Sequence, residues 1–324
     1  MRNTRKTECG AGRFCFPRGV RAAPFALLTG PLLAILAAVL FAGKAVLIRM
    51  AYAAAPIDAT TLVALRMAIS LPFCLFMLCW QGRGAAQAPL TLHDWATMIW
   101  LGFIGYYIAS FLDFWGLEYI SAALERILLF TYPTLVVLIS AALYGKSIGS
   151  REVFALLLTV AGTVVSFASD LRLTGSTSAL WKGTALVLGS AVCYAVFLIG
   201  SGRNVARIGS LRFSALAISI ASGFVLAQFF VLRPASSLFS WPAKIYWLGI
   251  ALAWFSTGLP IFLTVEAIRR AGASRVSIVG SIGPIVTIWL GHIFLGEPVT
   301  LLQMTGAVLV LGGVGLITVS GGDI

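Results

Sequence analysis

Charge is what this sequence has least of: only 10% of its 324 residues are Asp, Glu, Lys or Arg. A soluble domain carries nearer a quarter, so these residues cannot build a water-facing surface. Histidine is scarcer still, with His93 and His292 alone. The cysteines, Cys9, Cys15, Cys74, Cys79 and Cys193, are scattered, with no C-x-x-C and no Cys/His cluster. Neither a metal site nor a disulfide framework is supported. A P-loop is missing as well, and the string Gly312-Gly-Val-Gly315 lies mid-span with no strand before it, so it is not a nucleotide site. No cofactor is called for, and no paired side chains of an intramembrane enzyme are present.

What is present is apolar length. The chain is 60% hydrophobic, with a mean hydropathy of +0.98. A bilayer core asks for runs of about 20 apolar residues, because each backbone amide there must bond within its own helix. Such runs fall at 30–52, 61–80, 95–117, 121–143, 152–169, 181–202, 212–232, 245–267, 275–295 and 299–320. The pattern predicts an all-α membrane protein of about ten transmembrane helices. Ala51-Tyr-Ala-Ala-Ala55 resembles a leader cleavage site, but the run before it is too long and carries Lys44 and Arg49. We read it as an uncleaved first helix.

The balance of +12 invites a nucleic-acid partner, but the positions of the basic residues argue against one. Arg2, Arg5, Lys6, Arg13, Arg18 and Arg21 sit in the N-terminal tail, and most others flank apolar runs, where topology needs them. A cytoplasmic N-terminus puts fifteen basic residues inside and four outside. Both termini are therefore expected in the cytoplasm, with the chain in the cell inner membrane.

The chain also repeats itself. Pro133 and Pro284 are 151 residues apart, as are Gly145 and Gly296, Gly162 and Gly313, and the Phe-Leu pairs at 111–112 and 262–263. Five spans per copy is an odd number, so the second copy must enter the membrane from the opposite side. Two inverted five-helix repeats are the expected architecture, one that lets a central site open to each face in turn. The division is a basic tail at 1–29, a first repeat at 30–170 and a second at 171–324.

On these residues the sequence resembles the EamA-like family of the drug/metabolite transporter superfamily. The resemblance rests on Leu124-Glu-Arg-Ile-Leu-Leu-Phe-Thr-Tyr-Pro133 running to Tyr144-Gly-Lys146, on Gly283-Pro284 running to Leu295-Gly-Glu297-Pro, and on Arg66, where the family usually has an Arg early in its second helix. It covers about residues 30–320. It implies a carrier of small organic solutes such as amino acids, other metabolites or drugs, often moved outward. The family usually has Glu after the Gly that ends the fourth helix; here that residue is Lys146, while the second copy keeps Glu297.

Ionisable groups inside spans cost roughly 2.5–3.5 kcal/mol each on insertion scales, so each calls for a reason. Lys44, Arg66, Asp113 and Glu125 lie on four different helices, all on the outer side of the midplane, with Arg126 beside Glu125. Two readings stay open: a polar vestibule meeting solute charges or protons, or ion pairs of Lys44 or Arg66 with Asp113 or Glu125 that lock helices together. Glu125 is expected to face inward, with Tyr132 two turns further along the same face. Tyr194 is a candidate lining residue. Pro133 and Pro284 free backbone carbonyls beside the cavity, as hinge or binding lip. Glu266 is the buried acid candidate of the second half, an inner-gate residue or a rim residue neutralised by Arg269 or Arg270. The partners expected are a small-molecule solute, the lipid bilayer, protons as coupling ion and, for assembly, a homodimer. The competing function class is a non-transporting membrane scaffold or sensor.

Overall fold

The computed structural model describes residues 24–81, 89–145, 147–174, 176–272, 276 and 279–320. The expected basic tail lies outside these up to position 23, as does Lys146. The helices are α1 (Pro24–Ala54), α2 (Ala59–Gln81), α3 (Leu92–Gly116), α4 (Ala122–Tyr144) and α5 (Ser150–Thr174). The second half holds α6 (Thr177–Ile208), α7 (Ser210–Leu232), α8 (Ala243–Ile268, continuing to Ala271), α9 (Gly283–Leu295) and α10 (Leu301–Ser320). Among the described residues nine of these are long and apolar enough to cross a bilayer, α9 is a shorter apolar helix, and no strand occurs. The fold is that of an all-α membrane protein of about ten helices.

Helix ends run past the apolar runs that announce them. α1 begins six residues before its expected start, and α6 continues beyond position 202 to Ile208, where Gly209 at φ +91° ends it. Hydropathy marks the edge of the oily layer, whereas a helix stops only where its last carbonyls find other partners.

Three helices are interrupted. α4 breaks at Phe130 and Thr131, where the Thr131 N–H and hydroxyl both donate to the Leu128 carbonyl, at 3.1 and 2.7 Å. Pro133 then occupies the first turn of the second half, Tyr132–Tyr144, where a missing N–H costs no helical bond. Pro284 takes the same place at the start of α9. In α3 and α8 the interruption is a π-turn, at Phe103–Ile108 and Trp254–Gly258.

These features recur at the 151-residue offset seen in the sequence, since Phe103 corresponds to Trp254 and Pro133 to Pro284. Gly145 and Gly296 end their helices at φ +65° and +68°, a left-handed conformation that glycine adopts without strain. Packing repeats too: α1 lies on α8 and α9 as α6 lies on α3 and α4, and α2 lies on α8 as α7 lies on α3. The self-paired contacts are α2 with α7 and α5 with α10. At the α5–α10 crossing a Cβ on Gly162 would come 2.6 Å from the Gly306 oxygen, and one on Gly313 would come 2.6 Å from the Ala155 oxygen. Ala155 and Gly306 are themselves 151 apart, so the two glycines occupy equivalent places.

Gly162→Leu and Gly313→Leu are each expected to cost about 1–3 kcal/mol through overpacking against backbone. Gly312→Ala, whose Cβ meets nothing within 4 Å, is expected to leave stability unchanged or raised. Thermal unfolding of the purified variants in detergent reads the difference.

Candidate functional site

α1, α3, α4 and α9 meet around a group of buried charges. Lys44 projects from α1, Asp113 from α3 beyond its π-turn, and Glu125 and Arg126 from the first half of α4. That half-helix starts where Ser121, as N-cap, accepts the Leu124 N–H at 3.1 Å. The Lys44 ammonium lies 2.6 Å from Asp113 Oδ2 and 3.2 Å from Glu125 Oε1, so one cation serves two carboxylates. All four side chains are buried, Glu125 completely. Arg126 lies 4.0 Å from Glu125 Oε2 but spends its hydrogen bonds elsewhere. It donates to the Phe41 carbonyl at 2.7 Å and to Thr287 Oγ1 at 3.2 Å, and its guanidinium covers the Phe41 ring at 5.1 Å. Thr287 in turn donates to the Ala42 carbonyl at 2.9 Å. Arg126 thus ties α4 to α1 and to α9.

Apart from the Lys44 ammonium at 3.2 Å and the contact of the two carboxyls with each other, Asp113 Oδ1 and both Glu125 oxygens find no hydrogen-bond partner among the described residues. A carboxylate out of water normally collects two or three donors, so this one is under-served by its surroundings. The cluster can hold charge, and it has acceptor capacity to spare.

Not every expected residue joins it. Arg66 stands apart on α2 and makes no ion pair among the described residues, so Lys44 alone serves both acids. Tyr132 opens the second half of α4, beyond the break at Phe130–Thr131, whereas Glu125 lies in the first. Tyr132 instead meets the Tyr194 ring edge-on at 5.1 Å. With Pro133 it lines an open groove of about 430 Å³ between α4, α6 and α10. Pro284 is buried at the head of α9, far along the chain from these rings but beside Phe130 through its neighbour Gly283. Glu266 is not a buried acid: it is about a third exposed and pairs with Arg270 at 2.6 Å, which also reaches Thr29 at 3.1 Å. At that exposure the pair contributes about 0–1 kcal/mol.

A second polar layer, about a turn further toward the C-terminal end of α1 and the N-terminal end of α4, was largely illegible in the sequence. Asp170 of α5 accepts the Ser121 N–H and hydroxyl at 3.1 and 2.8 Å, and Glu297 accepts the Ala122 N–H at 3.2 Å. Arg49 approaches Glu297 at 3.9 Å and donates to the Leu117 carbonyl. Glu118 accepts the Ala59 N–H at 3.0 Å, and Lys182 donates to the Tyr119 hydroxyl at 2.8 Å. The only hint was Ser121 ahead of an apolar run, the usual mark of a helix start. The carboxylate that Ser121 meets lies 49 residues away, and the one that its neighbour Ala122 meets lies 175 away.

With this geometry in place, the chain can be set beside known proteins. The profile of the EamA-like transporter family matches twice, at residues 28–168 and 181–319. The chain belongs to that family. It is 30% identical over 290 residues to the uncharacterized transporter YcbK of Bacillus subtilis (strain 168), which covers 86% of this chain and 88% of that one. The threonine/homoserine exporter RhtA of Escherichia coli (strain K12) is 30% identical over 123 residues, 38% of this chain and 40% of that protein. A solved crystal structure shares the fold with a TM-score of 0.60 at 20% identity, covering 91% of this chain and 97% of that one. This EamA-like protein is a multi-pass membrane transporter, whose partners are a small-molecule solute and the lipid around it.

Removing the shared cation should expose how tightly the cluster is coupled. Lys44→Met is expected to cost about 3–5 kcal/mol by leaving two acids buried without a cation. Lys44→Met with Asp113→Asn should recover at least ~1 kcal/mol of that loss. Denaturant titration of the single and double variants in mixed micelles measures the coupling.

Glu297 adds a pH dependence. Burial pushes its carboxyl above the usual carboxylate range, against the Ala122 N–H and Arg49, which pull it down. The buried arrangement therefore favours the protonated acid, so it is firmest at low pH and loosens as pH rises through the raised value. Amide exchange at Ala122–Leu124 should quicken with pH beyond its intrinsic slope in the wild type, and should lose that excess in Glu297→Gln.

Proposed function

We propose that this transporter is a secondary carrier that exports a small organic solute across the inner membrane by alternating access. The solute class is an amino acid, another metabolite or a drug, and protons are the coupling ion. The observation that carries this reading is the Lys44–Asp113–Glu125 cluster, buried where the first repeat meets α9 of the second. A purely structural ion pair gains little over apolar packing, because desolvation consumes most of the attraction. A carboxylate with spare acceptor capacity gains much more by taking a proton or a solute ammonium. Glu125 is assigned the proton, and Lys44 is the cation released when it arrives.

The two-fold packing supports inverted repeats at about 30–170 and 171–324. With five spans in each copy the second is threaded from the other face, so a tilt of one against the other can expose a shared site to either side. The direction follows from the polar layer. Arg49, Glu118, Ser121, Asp170 and Glu297 tie together the ends of helices that the Lys/Arg bias places outside. The Tyr132–Pro133 groove lies on the half of α4 nearer the cytoplasmic face. A closed outer end and an open inner one suit a carrier waiting for solute from within. RhtA, matched over part of its length, carries the name of an amino-acid exporter, which supports amino acids among the solutes to try. The excess of basic residues on one side supports cytoplasmic termini.

Counterflow in proteoliposomes with a mixture of labelled amino acids and metabolites tests transport itself, and an imposed pH gradient tests coupling. Wild type should accumulate at least one solute, and Glu125→Gln should cut the pH-driven flux about tenfold or more, ~1.4 kcal/mol or above. Full pH-driven flux in Glu125→Gln would remove the proton from Glu125, and no accumulation of any solute by wild type would overturn the carrier reading.

A further inference from the structure

Arg66 makes no ion pair among the described residues. It is 5% exposed on α2, yet of its donors Nη2 reaches only Ser110 Oγ at 3.2 Å and, more weakly, Met67 Sδ at 4.0 Å. The guanidinium lies against the Phe114 ring at 5.1 Å, and its Nε has no partner among the described residues. Asp113 is close enough for its charge to act on Arg66, but Lys44 holds that carboxylate at 2.6 Å. Arg49, Arg126, Arg207, Arg233 and Arg270 each approach an acid. Arg66 differs from all of them.

A second unsatisfied donor stands one helical turn away. Ser70, 3% exposed, has a hydroxyl without a partner among the described residues, and residues four apart share a helix face. Ser70 lines a cleft between α2, α7 and α8, and Arg66 stands one turn beyond its lining. The cleft measures about 370 Å³ with its mouth, though its interior has room for only ≈ 20 Å³, about one water-sized body. Its other walls are largely apolar, Phe73, Met77, Ile218 and Ile261 among them, with Ser214 as a further hydroxyl. Arg66 Nε and the Ser70 hydroxyl, one turn apart on one helix face and beside an apolar cleft, present hydrogen-bond capacity and positive charge that the described residues leave partly unmet.

We infer that Arg66 and Ser70 form a carboxylate-binding subsite, distinct from the Lys44–Asp113–Glu125 cluster, for a small monocarboxylate with an apolar body. A carboxylate has the complement this pair requires: two oxygens side by side, one for Nε and a second for Nη or the Ser70 hydroxyl. An ammonium or an amide nitrogen would bring further donors to a site made of donors. A phosphate would bring about two charges to a single guanidinium in apolar walls. The cleft is narrow in this conformation, so the apolar body of the acid enters as α7 and α8 part from α2. The inference rests on the transport reading above for its purpose, but not for its test, which measures binding alone.

The experiment uses the full-length protein in nanodiscs and three probes of one shape: 4-methylvalerate, its amide and the corresponding amine. Isothermal titration and thermal shift should show the acid binding and the amide and amine failing to bind. Arg66→Gln should weaken the acid about tenfold or more, Ser70→Ala a few-fold, and Arg66→Lys should keep part of the affinity as a point charge. Gly312→Ala, on α10 and outside this subsite, should bind the acid as wild type does. Equal binding of acid and amide, or unchanged acid binding in both Ser70→Ala and Arg66→Gln, would overturn the inference. So would the absence of any acid binding to wild type at millimolar concentration. Should Arg66→Gln fail to fold, Arg66→Lys and Ser70→Ala decide the matter, since an intact affinity in both contradicts it. Counterflow of some other solute could persist through any of these failures, which separates this subsite from the carrier reading.

Discussion

One ammonium between two carboxylates in a medium without water is the interaction on which the centre of this protein depends. In low dielectric an unpaired charge costs several kcal/mol, so Lys44, Asp113 and Glu125 can be buried only together. Each comes from a different helix, and the requirement that they meet brings α1, α3 and α4 to one point. Arg126 extends the requirement to the second repeat, because its donors are received by the backbone of α1 and by Thr287 of α9. The same contacts that hold the two repeats together therefore contain the buried charges on which the proposed exchange of proton and solute rests. A change of charge there is felt directly at the joint between the halves.

The scaffold is symmetric and the chemistry is not. Pro133 with Pro284, Gly162 with Gly313 and the two π-turns repeat at one offset, and the helix packing repeats with them. The positions 151 residues beyond Lys44, Asp113 and Glu125 are Ala195, Thr264 and Val276. The first copy thus carries the ions, while the second supplies an apolar wall, Thr287 and the Glu297 carboxylate. Glycine and proline are kept in both copies because backbone approach and helix starts are needed twice. A charge cluster is needed once, and a second would double the desolvation cost.

Much of the fold was legible for a plain reason. A bilayer accepts only long apolar helices, so hydropathy alone locates them, and the offset of Pro and Gly exposes the repeat. The interruptions were not legible: nothing in Phe103–Ile108 distinguishes a π-turn from an ordinary turn, and the break in α4 falls two residues before the proline that signals it. That break puts Tyr132 and Glu125 on different half-helices. Five buried charges of the first repeat, Lys44, Arg66, Asp113, Glu125 and Arg126, could be picked out because charge inside a span is rare, but their pairing depends on which helices pack. The choice of Lys44 over Arg66 as partner to both acids, and the capping of α4 by Asp170 and Glu297, are consequences of tertiary contact over long separations. Glu266 misled for the converse reason: its neighbour Arg270 and a position near the end of α8 leave it half in water.

The central claim is that the cluster beneath Thr287 meets water from each side of the membrane in turn. Its most direct measurement places a single cysteine at Thr287, with the native cysteines replaced, and labels it with a membrane-impermeant thiol reagent from one face at a time. The account predicts labelling from both faces, with saturating solute or a shift in pH moving the balance between them. A cysteine that is never labelled from one of the two faces, whatever the pH or solute, would contradict it.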